Sequence, residues 1–299
     1  MDDQQIDILV DAITAKVKAR LFSGDLPGMG VGKVRPDGRK MHAPACSSCE
    51  LPVEGCLSCG LNPMSLSRAQ APVKTMPSAK ETARYIDHTL LKPDADRELI
   101  EKLCSEARQH NFFSVCVNSS NVRLAASFLA GSGVKVCAVV GFPLGAGTPA
   151  AKAFEAREAV RCGADEIDMV MNLGAMRSKD YSLVQEDISK VVKAVPGKIL
   201  KVILETGMLT HEEKIIACSL SKVAKASFVK TSTGFGPGGA TVEDITLMRQ
   251  IVGPDIGVKA SGGVRSYEDA KAMMKAGANR LGCSSSVAIV SGEQGKSGY

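Results

Sequence analysis

From residue 82 onward, short apolar runs alternate with amphipathic stretches at a repeat of roughly 25 to 35 residues, the rhythm of βα units. The apolar runs cover 85–91, 113–117, 134–140, 166–171, 198–204, 228–230, 256–260 and 280–283. Between them, 97–110, 150–162, 181–195, 212–225, 242–251 and 267–276 place apolar residues at helical spacing. Eight strands with intervening helices in about 215 residues predict an α/β protein of the (β/α)8 barrel type. An open doubly wound sheet is the alternative. No Gly-x-Gly-x-x-Gly follows the first run, which weighs against it.

The first 80 residues have a different texture. Residues 5–22 predict one amphipathic helix, with Ile6, Leu9, Val10, Ile13, Val17 and Leu21 along one stripe. Asp2, Asp3 and Asp7 lie at its start and Lys16, Lys18 and Arg20 at its end, as the helix dipole favours. Ser23-Gly24 stops it. Residues 23–44, rich in Gly, Pro and charge, read as a linker. The stripe therefore either packs on the barrel or docks in a groove of a partner. Two Cys-x-x-Cys knuckles follow, Cys46/Cys49 and Cys56/Cys59. Each can present two thiolates to one tetrahedral ion, zinc by default or an iron–sulfur cluster as competitor; four free thiols are the other reading. Residues 60–79 read as a second linker. The resulting plan is a helix over 1–22, a linker with knuckles over 23–80, a barrel over 81–290 and a tail over 291–299.

Composition narrows the function classes. The 299 residues carry a net charge of +5 spread along the chain, without a basic stripe interleaved with aromatics, so nucleic-acid binding is not expected. No apolar run approaches a membrane span. Met-Asp-Asp-Gln-Gln lacks a basic n-region and an apolar h-region, so no secretory signal is expected. The expected location is the cytoplasm, where ten cysteines are thiols or metal ligands rather than disulfides. Trp is absent and aromatics make up 4%, so the core must be aliphatic.

The polar residues of the barrel segment gather where strands end. Lys230 closes the run Phe228-Val229-Lys230 and precedes a loop of Thr, Ser and Gly. Desolvation disfavours an ammonium and lowers its pKa, and a free amine can attack a carbonyl to form a Schiff base. A lysine that snorkels to solvent is the bland alternative. Lys259 lies near the end of the next run, on a strand about 4.8 Å away, and two such ammonium groups repel until one loses its proton. Asp168, inside Glu166-Ile-Asp-Met-Val-Met-Asn172, needs a partner if it faces inward. Those lysines would supply it, either as a structural ion pair or as a proton relay for carbon–carbon cleavage. The last two strands end in Ser261-Gly-Gly-Val-Arg265 and Gly282-Cys-Ser-Ser-Ser286, the loop positions where barrels commonly hold phosphate.

Taken together, Ile-Asp-His-Thr-Leu-Leu-Lys-Pro (86–93), Ser-Val-Cys-Val-Asn (114–118), Val-Val-Gly-Phe-Pro-Leu-Gly (139–145), Asp-Glu-Ile-Asp-Met-Val (165–170), Phe-Val-Lys-Thr-Ser-Thr-Gly-Phe (228–235), Val-Lys-Ala-Ser-Gly-Gly-Val-Arg (258–265) and Gly-Cys-Ser-Ser (282–285) resemble the deoxyribose-phosphate aldolases. These are class I aldolases that split 2-deoxyribose 5-phosphate into acetaldehyde and glyceraldehyde 3-phosphate. The resemblance spans 82–290. It implies Lys230 as the Schiff-base lysine, Lys259 as the lysine that lowers its pKa, and Asp168 as the relay acid, with no catalytic cofactor. It also implies Gly262, Gly263, Ser284 and Ser285 as phosphate ligands and Asp87, Thr89 and Cys116 as the sugar pocket. Thr233 and Gly234, in the loop after Lys230, complete the candidate substrate contacts. Some relatives place a further lysine after Thr-Ser-Thr-Gly; here that place is Phe235, which leaves Arg265 as the candidate cation. Many also end in a tail with a terminal Tyr, here Tyr299. The N-terminal helix and linker resemble encapsulation peptides of bacterial microcompartment cargo, implying a shell protein as partner of residues 1–22. A homo-oligomer, most simply a dimer, is expected. A class I aldolase for another phosphorylated sugar and a barrel serving as a scaffold are the rival functions.

Overall fold

The computed structural model describes residues 73 and 75–295, together with Ile8 and Ala12. Eight parallel strands close into a barrel in chain order: β1 (Ile86–Leu90), β2 (Ser114–Asn118), β3 (Lys135–Val140), β4 (Glu166–Val170), β5 (Ile199–Ile203), β6 (Phe228–Lys230), β7 (Gly257–Ser261) and β8 (Arg280–Cys283). Each lies within one residue, at either end, of the run predicted for it. Around them stand α1 (Arg97–His110), α2 (Val122–Leu129), α3 (Pro149–Arg161), α4 (Leu173–Arg177), α5 (Tyr181–Ala194), α6 (His211–Val223), α7 (Val242–Val252), α8 (Tyr267–Ala276) and α9 (Ser286–Ser291). The short α2, α4 and α9 are not among the segments picked out by periodicity, because one or two turns give too few repeats to register.

Local chemistry sets the helix starts. Asp96 accepts from Leu99 N ahead of α1, and Thr148 caps α3 with Pro149 at its first position. Reciprocal capping boxes, Thr210 with Glu213 and Ser266 with Asp269, begin α6 and α8.

Strand alternation divides the molecule into two interiors. Ile86, Val115, Ala138, Ile167, Met169, Leu200, Val202, Val258 and Leu281 belong to the large apolar cluster shared with the helices. The residues between them in sequence, Asp87, Glu166, Asp168, Lys201 and Lys259, are as deeply buried but charged. A small separate apolar group, Leu91, Cys116, Cys137 and Val139 with Phe142 against it, shares the barrel interior. Aliphatic packing thus lies between sheet and helices, where about 25 cal/mol accrues per Å² removed from water. The barrel's inside is left for chemistry.

Ile8 and Ala12 are helical, as the N-terminal pattern predicts, and Ile8, which is not on the apolar stripe, is exposed. The rest of that helix, most of both linkers, Cys46, Cys49, Cys56, Cys59 and Tyr299 lie outside the described residues. The start of the tail is in contact with the barrel: Gly295 N donates to Arg265 O at 2.9 Å. No helix among the described residues is long and apolar enough to cross a membrane.

A fully buried ion pair joins two of the helices. Lys152 on α3 reaches Asp187 on α5 at 2.6 Å and the carbonyl of Val170 at 2.8 Å, with both side chains buried. Burial is the larger influence on each, pushing Lys152 down and Asp187 up. Removing one partner strands the other in an apolar layer. Lys152→Met should therefore cost about 3 kcal/mol in urea unfolding, and Lys152→Met/Asp187→Leu should recover most of it. A double variant no more stable than the single one would contradict this.

Candidate active site

Parallel register places Lys230 directly beside Lys259, Lys259 beside Arg280, and Asp168 beside Lys201. All project into the barrel, and their charges interlock. Asp168 Oδ2 receives Lys230 Nζ at 2.9 Å and Lys259 Nζ at 2.8 Å, while its Oδ1 receives Lys201 Nζ at 2.7 Å and the Cys137 thiol at 3.1 Å. Lys259 Nζ also donates to Asp87 Oδ2 at 2.5 Å. Below them the Arg280 guanidinium bridges Asp87 Oδ1 and Glu166 Oε2, each at 2.9 Å, and lies over the Phe113 ring at 3.5 Å. Lys201 closes the cycle on Glu166 at 2.6 Å. With every group ionised, four positive charges, on Lys201, Lys230, Lys259 and Arg280, face three negative ones, on Asp87, Glu166 and Asp168. One positive charge is in excess.

Burial opposes ionisation of Asp168, but Lys201, Lys230 and Lys259 outweigh it and hold the carboxyl far below the usual carboxylate range. Asp87 is depressed in the same way, burial being overcome by Lys259, Arg280 and Lys201. Burial would discharge Lys259, yet Asp168 and Asp87 raise it well above an ordinary lysine. Lys259 is thus a fixed cation beside Lys230. The side-chain contact with Cys137 lowers Cys116, whereas burial and that same contact raise Cys137. Cys137 with Asp168 and Cys116, or with Asp87 and Glu166, could in principle ligate a metal. The Lys201 ammonium already fills that space, in contact with Asp168, Glu166 and Cys137.

Beside the lysines opens a cavity of about 540 Å³, lined by the glycines of three loops with Val264, Arg265, Ser284 and Ser285. Gly234, Gly262, Gly263, Ser284 and Ser285, expected as phosphate and substrate contacts, all stand at its wall. The left-handed φ of +87° at Gly262 lets its carbonyl accept from Ala240 N at 2.9 Å, tying two of these loops together. At Gly282 a Cβ would come within 2.9 Å of Lys259 Cε and 2.7 Å of Ser261 Oγ. Glycine there lets the Lys259 stem pass the cavity floor.

Other predicted contacts stand elsewhere. Both oxygens of Asp87 are engaged by Lys259, Arg280 and Ser114, so it belongs to the charge network beneath the cavity. Thr89 donates to Asp87 O at 2.8 Å and lines an adjoining hollow of about 340 Å³. Cys116 is fully buried beside Cys137. Thr233 N and Oγ1 donate to the Glu205 carboxylate, and Thr233 Oγ1 then accepts from Phe235 N at 3.0 Å, shaping the loop after β6. Phe235 itself packs edge-on against Phe142, with ring centroids 5.3 Å apart.

Sequence reasoning missed Lys201, Arg280, Glu166 and Cys137 as members of this cluster. The signal was available. Glu166 lies two residues before Asp168, and Lys201 and Arg280 interrupt otherwise apolar strands. Residues two apart on a strand share a face, so one inward charge marks the next.

A closed (β/α)8 barrel with two buried lysines sharing a carboxylate, beside a glycine- and serine-walled cavity, defines an aldolase-type barrel. Comparison narrows this class. A profile of the DeoC/LacD family aldolases matches residues 82–292. The chain is 60% identical over 216 residues to deoxyribose-phosphate aldolase of Streptococcus gordonii, covering 72% of this chain and 98% of that protein. It is 60% identical over 221 residues to that of Clostridium perfringens, covering 74% and 99%. Among solved structures, the tetrameric deoxyribose phosphate aldolase of Aeropyrum pernix superposes with a TM-score of 0.67 at 31% identity, over 77% of this chain and 96% of that one. The chain belongs to the DeoC/LacD aldolase family.

Two outcomes follow from the geometry. Gly282→Ala pushes the Lys259 stem aside, and displacements near 1 Å at a reacting group can cost about 100-fold; kcat/KM should fall by that order, and an unchanged value would refute the close approach. The depressed carboxyls of Asp87 and Asp168 contribute stability that is complete above the ordinary Asp pKa of about 3.9 and lost as pH falls toward their native values. Urea midpoints should change far less between about pH 7 and 5 than between about pH 5 and 3. A loss as steep in the upper interval would contradict the assignment.

Proposed function

We propose that the protein is a class I aldolase, a lyase that cleaves 2-deoxy-D-ribose 5-phosphate reversibly into acetaldehyde and D-glyceraldehyde 3-phosphate, with Lys230 as the covalent nucleophile. The observation that carries the reading is the pair of buried lysines on one carboxylate oxygen. Among the described residues Lys230 has one ion-pair partner, Asp168 Oδ2, which it shares; Lys259 has two. The interior carries one positive charge too many, and Lys230 is the cation least held. As the free amine it attacks the sugar's C1 aldehyde. Uptake of one proton from solvent and loss of water leave a protonated imine, with Lys259 keeping its own charge alongside.

Cleavage then breaks the C2–C3 bond. A base accepts the proton of the C3 hydroxyl, C3 becomes the aldehyde of glyceraldehyde 3-phosphate, and the bonding pair moves into the imine to give an enamine. Protonation at C2 and hydrolysis release acetaldehyde and regenerate Lys230. Asp168, in contact with both lysines, is suited to relay these protons through water. The phosphate is assigned to Gly262, Gly263, Ser284 and Ser285, with Arg265 as the cation at the cavity wall. The relatives' activity supports the substrate, and the tetramer of the Aeropyrum pernix protein supports assembly into a homo-oligomer.

Outside the barrel, residues 1–22, expected from the sequence to form a helix, are assigned to shell-protein docking, and Cys46, Cys49, Cys56 and Cys59 to metal binding. Deleting residues 1–22 should leave aldolase kinetics unchanged and abolish co-purification with shell proteins; retained co-purification would end that assignment.

Borohydride reduction in the presence of 2-deoxyribose 5-phosphate, followed by peptide mass spectrometry, should place a reduced two-carbon or sugar adduct on Lys230. Lys230→Leu should abolish both adduct and turnover with the fold retained by circular dichroism. An adduct on another lysine, or turnover by the variant, would refute the nucleophile. Adduct formation with a ketose phosphate in preference would refute the substrate.

A further inference from the structure

His88 faces away from the reacting lysines, on the outer side of β1, yet it touches the cavity wall from behind. Its ring is 4% exposed and packs against Phe112 at 5.0 Å between centroids. Nε2 meets Glu106 Oε2 on α1 at 2.8 Å, and Nδ1 meets Ser286 Oγ at 3.0 Å. Ser286 Oγ in turn donates to Cys283 O at 2.9 Å. The His88 hydrogen bond, acting against burial, holds Glu106 below its usual value.

The backbone of His88 is also the β-ladder partner of Cys283. One residue therefore holds both ends of the turn Cys283–Ser286, its main chain at the first residue and its ring at the last. Between those ends lie Ser284 and Ser285, which separate the 540 Å³ cavity from the 340 Å³ hollow behind and line both. The turn borders open space on both faces; Ile289 N holds Ser285 O at 3.1 Å from within α9, Gly295 lies close against Ser285, and the His88 contacts add a tie at each end. A ring N–H at Nδ1 donates to Ser286 Oγ while the hydroxyl proton goes to Cys283 O, so one chain of hydrogen bonds runs from the ring into the turn.

We propose that His88, itself oriented by Glu106, is a positioning residue for phosphate recognition, setting Ser284 and Ser285 against the sugar's phosphate through Ser286. The proposal rests on the assignment of that turn to phosphate. It concerns binding of the phosphoryl group and not the chemistry at Lys230.

The test compares kinetics on 2-deoxyribose 5-phosphate and on unphosphorylated 2-deoxyribose, with calorimetric binding of inorganic phosphate as a readout free of turnover. His88→Leu should raise KM for the phosphorylated sugar and Kd for phosphate about 10-fold, the scale of one good hydrogen bond. Its kcat should stay within about twofold, as should kcat/KM on 2-deoxyribose. Ser286→Ala, a smaller change that keeps the fold available if His88→Leu unfolds, should reproduce the pattern. His88→Asn places an amide atom where Nδ1 stood and should restore most of the affinity, which a packing role alone would not predict. Equal losses on both sugars, unchanged phosphate affinity in Ser286→Ala, or an Asn variant no better than Leu would each overturn the proposal. Should the wild-type protein cleave neither sugar, the aldolase reading falls, and phosphate binding still decides the role of His88.

Discussion

Everything inside the barrel is arranged around one carboxylate. Asp168 is fully buried and uses both oxygens, Oδ1 toward Lys201 and the Cys137 thiol, Oδ2 toward Lys230 and Lys259. A lone carboxylate at such a depth would protonate to escape the cost of desolvation. Three ammonium groups prevent that, and in exchange each ammonium gains a fixed position. The two oxygens do different things. Oδ1 is tied to residues that take no part in the proposed covalent chemistry, so the carboxylate cannot swing. Oδ2 is thereby held where two adjacent strands deliver their lysines. Remove the Oδ1 contacts and the same four residues would still be present, but free to repack into isolated pairs.

This constraint explains why the aliphatic core sits where it does. Barrels of this kind commonly fill the interior with branched aliphatic side chains. Here the interior positions of β1, β4, β5, β7 and β8 supply Asp87, Glu166, Asp168, Lys201, Lys259 and Arg280. The apolar area that stabilises the fold is displaced to the outer face of the same strands, against the helices. Buried ion networks seldom exceed hydrophobic replacements in stability. Their retention across β1 and β4 to β8 is best understood as a scaffold in which Arg280 and Glu166 offset charges that Asp87 and Lys201 would otherwise leave unbalanced.

The fold was legible because its signals are local. Two lysines at strand ends and apolar runs of three to seven residues each announce themselves within a short window. Lys230, Lys259 and Asp168 were legible for the same reason, each being a charge where an apolar residue is expected. What escaped was pairwise. Nothing near Arg280 in sequence says that it bridges Asp87 and Glu166, 193 and 114 residues away. Asp87, read as a sugar contact, is consumed by that bridge. Thr233 was assigned to the substrate, but its hydroxyl is committed to Glu205, a residue held at a left-handed φ of +55°. In each case the residue's type suggested chemistry and its partner decided which chemistry was left over.

The wall of the cavity shows the complementary logic. Phe235 leans on Phe142, and Arg265 is the one cationic side chain among the described residues lining the space. A dianion held mainly by backbone N–H groups and hydroxyls gains from geometry more than from long-range attraction, because each such bond weakens steeply with misalignment. Rigidity then matters more than charge. Three ties supply it: Gly262 O to Ala240 N between two loops, Gly295 N to Arg265 O from the chain leaving α9, and His88 to Ser286 behind the last turn. A site short of cations can still bind phosphate if its donors are prevented from moving, and the loops of this barrel are joined to one another in the way that condition requires.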